Sequence, residues 1–483
     1  MIRTDDVESR RRTKIVATLG PATDDPAVLE RLILAGADVL RINFSHGTRA
    51  QQLERVESAR EVAARAHCCV ALMGDLQGPK IRIESFAAGS VMLEPGQKFT
   101  LDTGMDPKAG DESAVGVAYP DLLQDVVPGD VLLLDDGQIV LQAESVGGTR
   151  IDCRVLQGGE LANKKGLNKR GGGLSAPALT DKDREDIRTA AEMGLDFLAV
   201  SFARDAADMD EARQLLRAAG GHAYLVAKIE RSEAVQNIKS ILGASDAIMV
   251  ARGDLAVEVG YASMTGLQKG LIRLARAQNK VSITATQMLE SMIGHASPTR
   301  AEVSDVANAV MDGTDAVMLS AETAVGRYPV QAVATMAELC VGAEKHETFR
   351  RAANYRLEDV FDHVDEAIAM AVMYVANHLK VKAIVALTES GSTTLWMSRV
   401  RSDIPIYAFT RHEATRRRVT LYRGVYPVSF DVTRTDPSHV HQRLFDSLRE
   451  NGALEAGDLV VFTRGEMQGV SGGTNTMQIL TVP

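Results

Sequence analysis

Residues 69–82 read CVALMGDLQGPKIR, and within them the chain changes character. The apolar run CVALM is typical of a strand buried on both faces, and it ends in Gly74 and Asp75. A Gly-Pro turn follows, with Lys80 and Arg82 just beyond it. The stretch therefore predicts a buried strand that ends in a carboxylate, and we expect the Lys80 ammonium to neutralise Asp75.

Other short apolar runs along the chain share the features of this strand, and each is followed by a segment long enough for a crossover helix. Strands that are apolar throughout favour a parallel sheet covered on both faces, and eight such units favour a closed barrel. The fold class is therefore α/β, a (β/α)8 TIM barrel. The predicted strands span residues 13–20, 38–45, 69–75, 196–202, 224–230, 247–254, 281–287 and 315–322.

The interval between the third and fourth predicted strands is much longer than the others. Its runs KFTLD, DVLLLDDGQIVLQAESV and RIDCRVL are rich in strand-forming residues, and Asp136-Gly137 is a typical hairpin turn. We interpret Asp135 and Asp136 as turn residues, not as metal ligands. These patterns predict an inserted β-barrel lid domain over residues 78–174, between barrel segments 1–77 and 175–348.

A second α/β domain is predicted after the barrel, over residues 349–483. A polar link, FRRAANYRLEDV, is followed by the new strand runs VKAIVALT, PIYAFT, VYPVSF and DLVVFTRG. At the other end of the chain, Arg10, Arg11 and Arg12 precede the first strand, and we expect them to form a solvated tail.

The composition excludes several classes of partner. A net charge of -10 argues against a nucleic-acid-binding protein. The sequence has no long apolar run and no apolar signal core, so we expect no membrane span, no export and a cytoplasmic location. The four cysteines form no CxxC pair, which favours reduced, structural thiols.

Polar side chains end most of the predicted barrel strands. The reacting groups of such barrels come from the carboxyl ends of the strands, so these side chains are expected to converge. Isolated buried charges cost several kcal/mol, so cations, anions and ligands must neutralise one another there. The residues are Arg41, Asn43, Ser45, Asp75, Lys228, Glu230, Arg252, Asp254, Thr284, Thr286, Gln287, Ser320 and Glu322.

This mixture favours metal-assisted chemistry on a phosphorylated acid. Glu230 and Asp254 are hard oxygen donors suited to Mg²⁺ or Mn²⁺. Arg41, Arg82 and Lys228 are cations suited to phosphate and to the charge that develops during phosphoryl transfer. The sequence has no Ser-His-Asp arrangement, no Cys-His pair and no GxxxxGK[ST] loop.

Several long motifs resemble those of the pyruvate kinase family, and their order and number span nearly the whole chain. The resemblance, to the bacterial potassium-independent type, implies the same barrel, lid and carboxyl-terminal domain. It also implies Mg²⁺-dependent transfer of the phosphoryl group of phosphoenolpyruvate to ADP, which gives ATP and pyruvate in the last step of glycolysis, and a homotetramer. The motifs are RINFSHG (41–47), GDLQGPKIR (74–82), VAKIER (226–231), VARGDLAVE (250–258), TATQMLESM (284–292), PTRAEVSDVANAVMDGTDAVMLSAETA (298–324) and GGTNT (472–476).

The resemblance also implies roles for individual residues. Lys228, Thr286 and Arg41 match the catalytic groups: the cation beside the enolate oxygen, a member of the proton relay and a contact of the transferred phosphoryl group. Glu230 and Asp254 match the ligands of the divalent ion. The matched substrate-binding set is Arg41, Lys228, Gly253, Asp254, Thr286, Ser320 and Glu322, and the matched nucleotide-binding set is Asn43, His46, Arg82 and Lys165.

The opening stretch departs from the pattern of many family members, which carry DTKGPEIR where this chain has DLQGPKIR. In those members a potassium ion is held by groups that match Asn43, Ser45, Asp75 and the backbone carbonyl of Leu76. Replacing the common glutamate by Lys80 changes the local charge by two units and supplies a tethered ammonium. We therefore expect Lys80 to act as a replacement cation and K⁺ not to be required.

A loop of the last domain, LTESGSTT (387–394), follows an apolar strand and precedes a helix. Its hydroxyls either cap the helix or bind phosphate. The resemblance implies a phosphorylated allosteric activator at Thr388, Ser390, Gly391, Ser392 and Thr393. A sugar monophosphate, AMP and fructose bisphosphate stay open as the activator.

The run Arg416, Arg417 and Arg418 is interpreted as a solvated helix face in preference to an effector or subunit contact.

The residues leave two alternatives to a phosphotransferase. One is a metal-dependent lyase or aldolase that forms an enolate on the same barrel, and the other is a catalytically silent metabolite sensor.

Overall fold

A computed structural model describes residues 10–346, 360–466 and 472–483. Eight parallel strands close a barrel in which each strand pairs with the next barrel strand along the chain and the last pairs with the first, which confirms the predicted barrel. Both faces of these strands are buried, one toward the barrel interior and one toward the helices, so the sequence does not alternate. The barrel strands are β1 Lys14–Thr18, β2 Val39–Asn43, β3 Ala71–Asp75, β12 Phe197–Val200, β13 Tyr224–Ile229, β14 Ala247–Ala251, β15 Val281–Ala285 and β16 Ala316–Leu319.

Helices surround this barrel. Several begin at side-chain caps; Thr180 and Thr299, for example, each accept a bond from the third backbone N–H of their helix. The described helices of the barrel are α1 Pro26–Ala35, α2 Arg49–Arg65, α4 Asp181–Glu192, α5 Ala206–Ala218, α6 Ser232–Gln236, α7 Ile238–Ala244, α8 Arg252–Val259, α9 Tyr261–Ala277, α10 Arg300–Asp312, α11 Ala321–Ala324 and α12 Pro329–Glu344.

The insertion after β3 is β-rich, as predicted, and its strands pair into two sheets instead of one closed barrel. A six-stranded sheet has the order β11-β7-β8-β9-β5-β6, and β10 pairs with β4. Asp135 and Asp136 have φ of 49° and 53° between β7 and β8, which confirms the turn. The elements are β4 Ser90–Leu93, β5 Lys98–Asp102, β6 Ala114–Gly116, α3 Leu122–Asp125, β7 Val131–Leu134, β8 Ile139–Gly147, β9 Arg150–Gln157, β10 Gly159–Ala162 and β11 Leu167–Lys169.

The last domain is a five-stranded sheet in the order β19-β18-β17-β20-β21, with β21 antiparallel to β20. Its first four strands match the predicted runs, whereas β21 was not predicted as a strand. Most of the predicted polar link, and the domain boundary at residues 348 and 349, lie outside the described residues. The elements are α13 Val364–His378, β17 Ala383–Leu387, α14 Ser392–Ser398, β18 Ile406–Thr410, α15 Glu413–Val419, β19 Val425–Ser429, α16 Val440–Glu450, β20 Leu459–Gly465 and β21 Thr474–Thr481.

The arginines that begin the described chain are not a solvated tail, so that prediction is wrong. Arg11 forms an ion pair of 2.9 Å with Asp38. The backbone N–H of Arg12 donates to the buried Glu344 carboxylate at 2.9 Å, and its guanidinium contacts Asp403 of the last domain. Buried carboxylates need a cation or a donor, and this run supplies both between the two domains.

The arginines of α15 were also predicted wrongly as a solvated face. Arg417 pairs with the buried Asp196 of the barrel at 2.8 Å, and the Arg418 guanidinium lies 3.6 Å from the centre of the Tyr224 ring. This helix therefore packs its cations onto the barrel.

Among the described helices, none has the length and apolar character needed to cross a lipid bilayer.

Candidate active site

Asp75 is fully buried at the end of β3, where two cations reach it from neighbouring strands. Arg41 Nε lies 2.6 Å from Asp75 Oδ2, and Lys228 Nζ lies 3.3 Å from Oδ1. Burial alone raises the pKa of Asp75, but these two charges outweigh burial and hold the pKa below its usual value. Arg41 and Lys228, both on barrel strands, therefore neutralise Asp75.

Lys80 does not contact Asp75, and the expectation that it neutralises this carboxylate is wrong. The Lys80 Nζ instead binds Asp254 Oδ1 at 2.9 Å. Asp75 already has its two cations, and the turn at Gly78, with φ of 67°, carries the chain past it. The Lys80 side chain then runs beside Gly166 of the insertion, where an added Cβ would lie 3.2 Å from Lys80 Cε.

Lys228 lies between two carboxylates. Its Nζ donates to Ser201 Oγ at 2.7 Å and to Glu230 Oε1 at 2.9 Å, in addition to facing Asp75. Burial lowers the pKa of Lys228. The negative charges of Asp75 and Glu230 raise this pKa by more than burial lowers it, so the pKa lies above its usual value. The lysine is thus a fixed ammonium in a largely dehydrated site.

Sequence reasoning missed Ser201. Its Oγ lies 3.4 Å from Asp75 Oδ1 and donates to the backbone carbonyl of Leu76 at 2.7 Å. The available signal was positional, because Ser201 is the polar residue that directly follows β12. Ser201 orients both Lys228 and the chain beyond β3.

Glu230 directly follows β13, and Asp254 lies in the first turn of α8, just beyond the neighbouring β14. Carboxylate oxygens are the donors that a divalent ion such as Mg²⁺ prefers. Glu230 Oε2 accepts the Phe202 N–H at 2.8 Å. Burial and the nearby Asp254 charge raise the pKa of Glu230 while Lys228 opposes them, and the pKa stays above its usual value. No group of three or more His, Cys, Asp or Glu side chains placed to hold a metal ion occurs in the described ranges.

Thr286 follows β15 in a strained conformation. Its φ is 67° and that of Gln287 is 54°, a region that β-branched residues rarely occupy. Thr286 Oγ1 accepts the Gly253 N–H at 2.9 Å and donates to the Ala285 carbonyl at 2.6 Å. Arg252 fixes the loop by donating to the Thr286 carbonyl at 2.6 Å.

Ser320 and Glu322 lie beyond β16. The carboxylate of Glu322 accepts hydrogen bonds from backbone N–H groups. It accepts the Ser320 N–H at 2.6 Å and the Leu289 N–H at 3.2 Å. Burial raises the pKa of Glu322, and these hydrogen bonds oppose that effect. Its direct contacts therefore hold two loops of the barrel mouth together.

The predicted nucleotide-binding residues lie at the barrel rim and at the root of the insertion. Asn43 Oδ1 accepts the Ser45 N–H at 3.0 Å, and His46 is exposed. Arg82 forms a bridge with Gly166, so the two ends of the insertion meet. Lys165, next to that bridge, pairs with Asp135 at 2.9 Å.

The groups predicted to hold a monovalent cation are only partly available. The Asp75 carboxylate is bound by Arg41 and Lys228, and the Leu76 carbonyl accepts from Ser201. Ser45 is exposed. The site therefore holds three carboxylates, those of Asp75, Glu230 and Asp254. They form ion pairs with three cations, Arg41, Lys80 and Lys228.

The predicted effector loop lines a cavity of about 90 Å³ in the last domain, together with Arg411 and Arg464. Thr388 Oγ1 accepts the Gly391 N–H at 2.9 Å, and Gly391 has φ of 86°. Thr393 is buried and its hydroxyl bonds to that of Thr474 at 2.7 Å. The Ser390 and Ser392 hydroxyls are half-buried and bond weakly to each other at 3.2 Å.

Lys228 lies buried between two carboxylates at the mouth of a parallel barrel, where a fixed cation can stabilise the charge that develops during phosphoryl transfer, so the site indicates a phosphotransferase. The comparisons agree with this class. The model of the pyruvate kinase barrel domain matches residues 10–333, and that of the pyruvate kinase alpha/beta domain matches residues 366–480. The chain belongs to the pyruvate kinase family.

Individual relatives match over nearly their whole length. The chain is 54% identical over 476 residues to pyruvate kinase II of Salmonella typhimurium, covering 98% of this chain and 99% of that protein. It is 51% identical over 460 residues to a pyruvate kinase of Haemophilus influenzae, covering 94% and 96%. A crystal structure of a pyruvate kinase from Cryptosporidium parvum superposes with a TM-score of 0.90 at 33% identity, covering 99% and 98%.

Proposed function

We propose that Lys228 is the cation that stabilises charge as this pyruvate kinase moves a phosphoryl group from phosphoenolpyruvate to ADP. The observation that carries the proposal is its position, with Nζ 2.9 Å from Glu230 and 3.3 Å from Asp75 in a buried site. Loss of the phosphoryl group leaves an enolate oxygen, and a preorganised ammonium beside that oxygen lowers the barrier. The test is pyruvate formation by a Lys228→Met variant, which should be almost inactive.

The neighbouring residues take roles that suit their contacts. Arg41 faces the same site as Lys228 and is assigned to the transferred phosphoryl group. Thr286 Oγ1, held by Gly253 and Ala285, is assigned to the relay that protonates the enolate carbon. Glu230 and Asp254 are assigned to the divalent ion, which when bound neutralises the phosphate and carboxylate charges of the substrate.

The alternatives left by the residues alone lose their support. A lyase or aldolase would use Arg41, Glu230 and Asp254 but has no need for a cation such as Lys165 on the insertion. A silent sensor would not need to keep Lys228 buried and charged between two carboxylates. Both alternatives also fail to account for the family match over residues 10–333.

Lys165 is proposed to contact the phosphates of ADP when the insertion closes over the barrel. Lys165→Ala should raise the KM for ADP by about tenfold, since a hydrogen bond between charged groups contributes about 1.5–3 kcal/mol. The neighbouring Lys164, which pairs with Glu84, provides the matched control. Steady-state kinetics at varied ADP should show the change only for Lys165→Ala, and an unchanged KM would contradict the assignment.

K⁺ independence is proposed from the balance of charges at the site. Arg41, Lys80 and Lys228 supply three fixed cations to three carboxylates, so a further monovalent ion has little charge left to neutralise. The role of Lys80 is correspondingly revised. It supplies its charge to Asp254 and the nearby Glu230, not to the Asp75 carboxylate.

Lys80→Glu should make the enzyme depend on K⁺, with stimulation of about tenfold or more, because the substitution changes the local charge by two units. Lys80→Met removes the ammonium without adding a carboxylate and should show weaker stimulation. Activity measured in tetramethylammonium chloride, with and without KCl, decides the matter. Strong stimulation of the unmodified enzyme by K⁺ would show that the three protein cations do not replace it.

An allosteric activator that carries phosphate is proposed for the cavity at residues 388–393. The half-buried Ser390 and Ser392 hydroxyls and the nearby Arg464 support this role. Arg464 Nε is buried and has no hydrogen-bond acceptor in the described part of the chain. A phosphate oxygen is the type of acceptor that an arginine binds well.

A homotetramer is proposed from the family resemblance, and exposed apolar residues of the last domain support a contact between subunits. Val364 and Tyr374 of α13 and Ile479 of β21 are respectively 66%, 44% and 47% exposed. Apolar side chains exposed to this extent mark interaction surfaces when they occur together.

The cytoplasmic location stays a prediction from the sequence, as does the absence of nucleic-acid partners.

A further inference from the structure

Glu258 is a buried carboxyl group near the end of α8, and the proposed phosphoryl transfer does not use it. It lies about one helical turn beyond Asp254, on the same helix. Its Oε2 accepts the backbone N–H of Ser232 at 2.8 Å. Ser232 begins α6 and follows Glu230 by two residues. Glu258 therefore joins the two segments that carry the residues assigned to the divalent ion.

The same residue also holds the returning strand of the insertion. The Asn168 side chain of β11 is buried and donates a hydrogen bond to the Glu258 carboxylate. The backbone carbonyl of Glu258 accepts the N–H of Gly171, just beyond β11, at 3.0 Å. Lys165, which is proposed to contact ADP, lies three residues before Asn168. The contacts of Glu258 therefore fix the arm of the insertion that carries Lys165.

A second carboxylate, that of Glu233 on α6, binds the next turn of this arm by accepting the Gly173 N–H. Residues 171–173 are three glycines with φ of 83°, 83° and 90°, a conformation that other residues rarely adopt. This glycine turn has no side chains of its own to hold it on the barrel. Glu233 and Glu258 supply the contacts that hold it there.

The charges that face Glu258 come from the start of α6. Burial raises the pKa of Glu258 to about 7, and the neighbouring Glu233 charge adds to this effect. The Ser232 N–H, the Arg231 guanidinium and the Asn168 side chain oppose it. Within the described residues Glu258 forms no ion pair, because Arg231 donates instead to backbone carbonyls at the root of the insertion.

The other elements that pack on α8 do not neutralise Glu258 either. The strand β14 consists of apolar residues. On β11, Lys169 binds Asp130 at 2.8 Å. At the start of α9, the Tyr261 hydroxyl donates to the backbone carbonyl of Asp136 at 3.2 Å. The carboxyl group of Glu258 is therefore buried beside a like charge without a cation bound to it.

Two unpartnered oxygens beside Glu258 suit a protonated carboxyl group. Ser232 Oγ and Glu233 Oε2 are buried, and neither has a hydrogen-bond partner in the part of the chain that the structure describes. A protonated carboxyl carries an O–H that such an oxygen accepts. Protonation also removes the repulsion between Glu258 and Glu233 at the glycine turn. The proton therefore strengthens the contact between the barrel and the insertion.

We infer that Glu258 is a positioning residue, which fastens the root of the insertion to the segments that carry Glu230 and Asp254, and that it does so most firmly when protonated. The inference rests on the proposed roles of Lys165 and of these two carboxylates. Glu258 itself contacts neither reactant. It acts by holding Lys165 and the assigned metal ligands in one arrangement.

The raised pKa of Glu258 gives this contact a defined pH dependence. A glutamate exposed to water ionises well below pH 7, whereas the buried Glu258 keeps its proton up to about pH 7. The closed root therefore binds a proton that the opened root releases, so its stability is greatest in acid and falls as pH rises through about 7. Between pH 6 and 8 the opening equilibrium should increase by about tenfold and then level off.

Hydrogen exchange of peptides that span residues 166–174 tests this inference, with mass spectrometry as the readout. Glu258→Gln keeps the shape of the side chain but cannot ionise. The exchange rate of the unmodified enzyme divided by that of Glu258→Gln, measured at the same pH, should rise about tenfold from pH 6 to pH 8. The intrinsic pH dependence of exchange cancels in this ratio. Glu61→Gln, at an exposed position of α2, should behave like the unmodified enzyme.

Glu258→Ala removes the acceptor itself. At pH 6 it should speed exchange of the same peptides and raise the KM for ADP, each by at least about fivefold, because buried N–H donors lose their partner. Glu258→Gln should stay within about twofold of the unmodified enzyme in both measurements at pH 6, and kcat should change less than KM in Glu258→Ala.

Two results would overturn the positioning role: an exchange ratio that does not change with pH, and equal effects of Glu258→Gln and Glu258→Ala at pH 6. Exchange is measured without substrate, metal or turnover. A pH-independent ratio would therefore remove the role of Glu258 and leave the assignment of phosphoryl transfer intact. Failure of phosphoryl transfer would in turn leave the exchange result unchanged.

Discussion

Lys228→Met should lower kcat for pyruvate formation by about a thousandfold or more. Removing one preorganised hydrogen-bond donor from a developing oxyanion costs about 10²–10³ in kcat, and Lys228 brings a full charge as well. The substitution also leaves Asp75 and Glu230 without the ammonium that lies 3.3 Å and 2.9 Å from them. Both losses act on the charge of the site, so kcat should fall much more than substrate affinity.

The matched control for this variant is Lys239→Met. Lys239 is exposed on α7, within the same βα unit as Lys228, and it lies outside the barrel mouth. Its kcat should stay within about twofold of the unmodified enzyme, as expected for a surface substitution. A Lys228→Met variant that keeps more than a tenth of the unmodified kcat would remove this lysine from the central role proposed for it.

Glu230→Gln should weaken binding of Mn²⁺ by at least about a hundredfold. Loss even of a residue that only supports a metal ligand costs about 10–100-fold in affinity, and Glu230 is assigned to the ion directly. Glu230 and Asp254 are the two carboxylates assigned to the ion, so the loss of one removes half of the charged ligands assigned to it. Mn²⁺ binding followed by electron paramagnetic resonance measures the effect without relying on turnover.

Glu233→Gln is the control for the metal assignment. Glu233 lies one helical turn further along, and its carboxylate accepts the backbone N–H of Gly173 at the root of the insertion. It has no contact with Lys228, so Mn²⁺ affinity should change by less than about twofold. Equal losses of affinity in both variants would indicate a general effect on the fold instead of a lost ligand.

The barrel was predictable because its signal is local. Each strand is a short apolar run, and the polar residue at its end marks the point where the strand stops and the catalytic face begins. The stretch at 247–254 illustrates this, because β14 ends at Ala251 and Arg252 begins α8. Closure of the barrel brings together Arg41, Asp75, Lys228 and Glu230. Their convergence can therefore be predicted without knowing any side-chain contact.

The partner of Lys80 was not predictable, because it depends on contacts between distant parts of the chain. Proximity in sequence favours Asp75, whereas the structure gives that carboxylate to Arg41 and Lys228 and pairs Lys80 with Asp254. The predictions for the arginines at residues 10–12 and 416–418 were wrong for the same reason, because their partners lie in distant parts of the chain. A charged run resembles a solvated surface until the buried carboxylates of another domain, such as Glu344 and Asp196, are known.

The loop at residues 387–394 is connected physically to the barrel. It leads into α14, and Arg399, directly after that helix, binds Asp315 in an almost fully buried ion pair. The Asp315 carboxylate also accepts the Ser282 N–H of β15 at 2.9 Å. Asp315 immediately precedes β16, so the pair joins the last domain to the two strands that carry Thr286 and Ser320.

The most direct test of phosphoryl transfer at this site is the stoichiometry of the products. Phosphoenolpyruvate, ADP and Mg²⁺ are incubated with the unmodified enzyme and, in parallel, with Lys228→Met, and ATP and pyruvate are both quantified. Transfer at the barrel mouth predicts equal amounts of ATP and pyruvate from the unmodified enzyme and almost none from the variant. Pyruvate without ATP, or equal rates from both proteins, would contradict it.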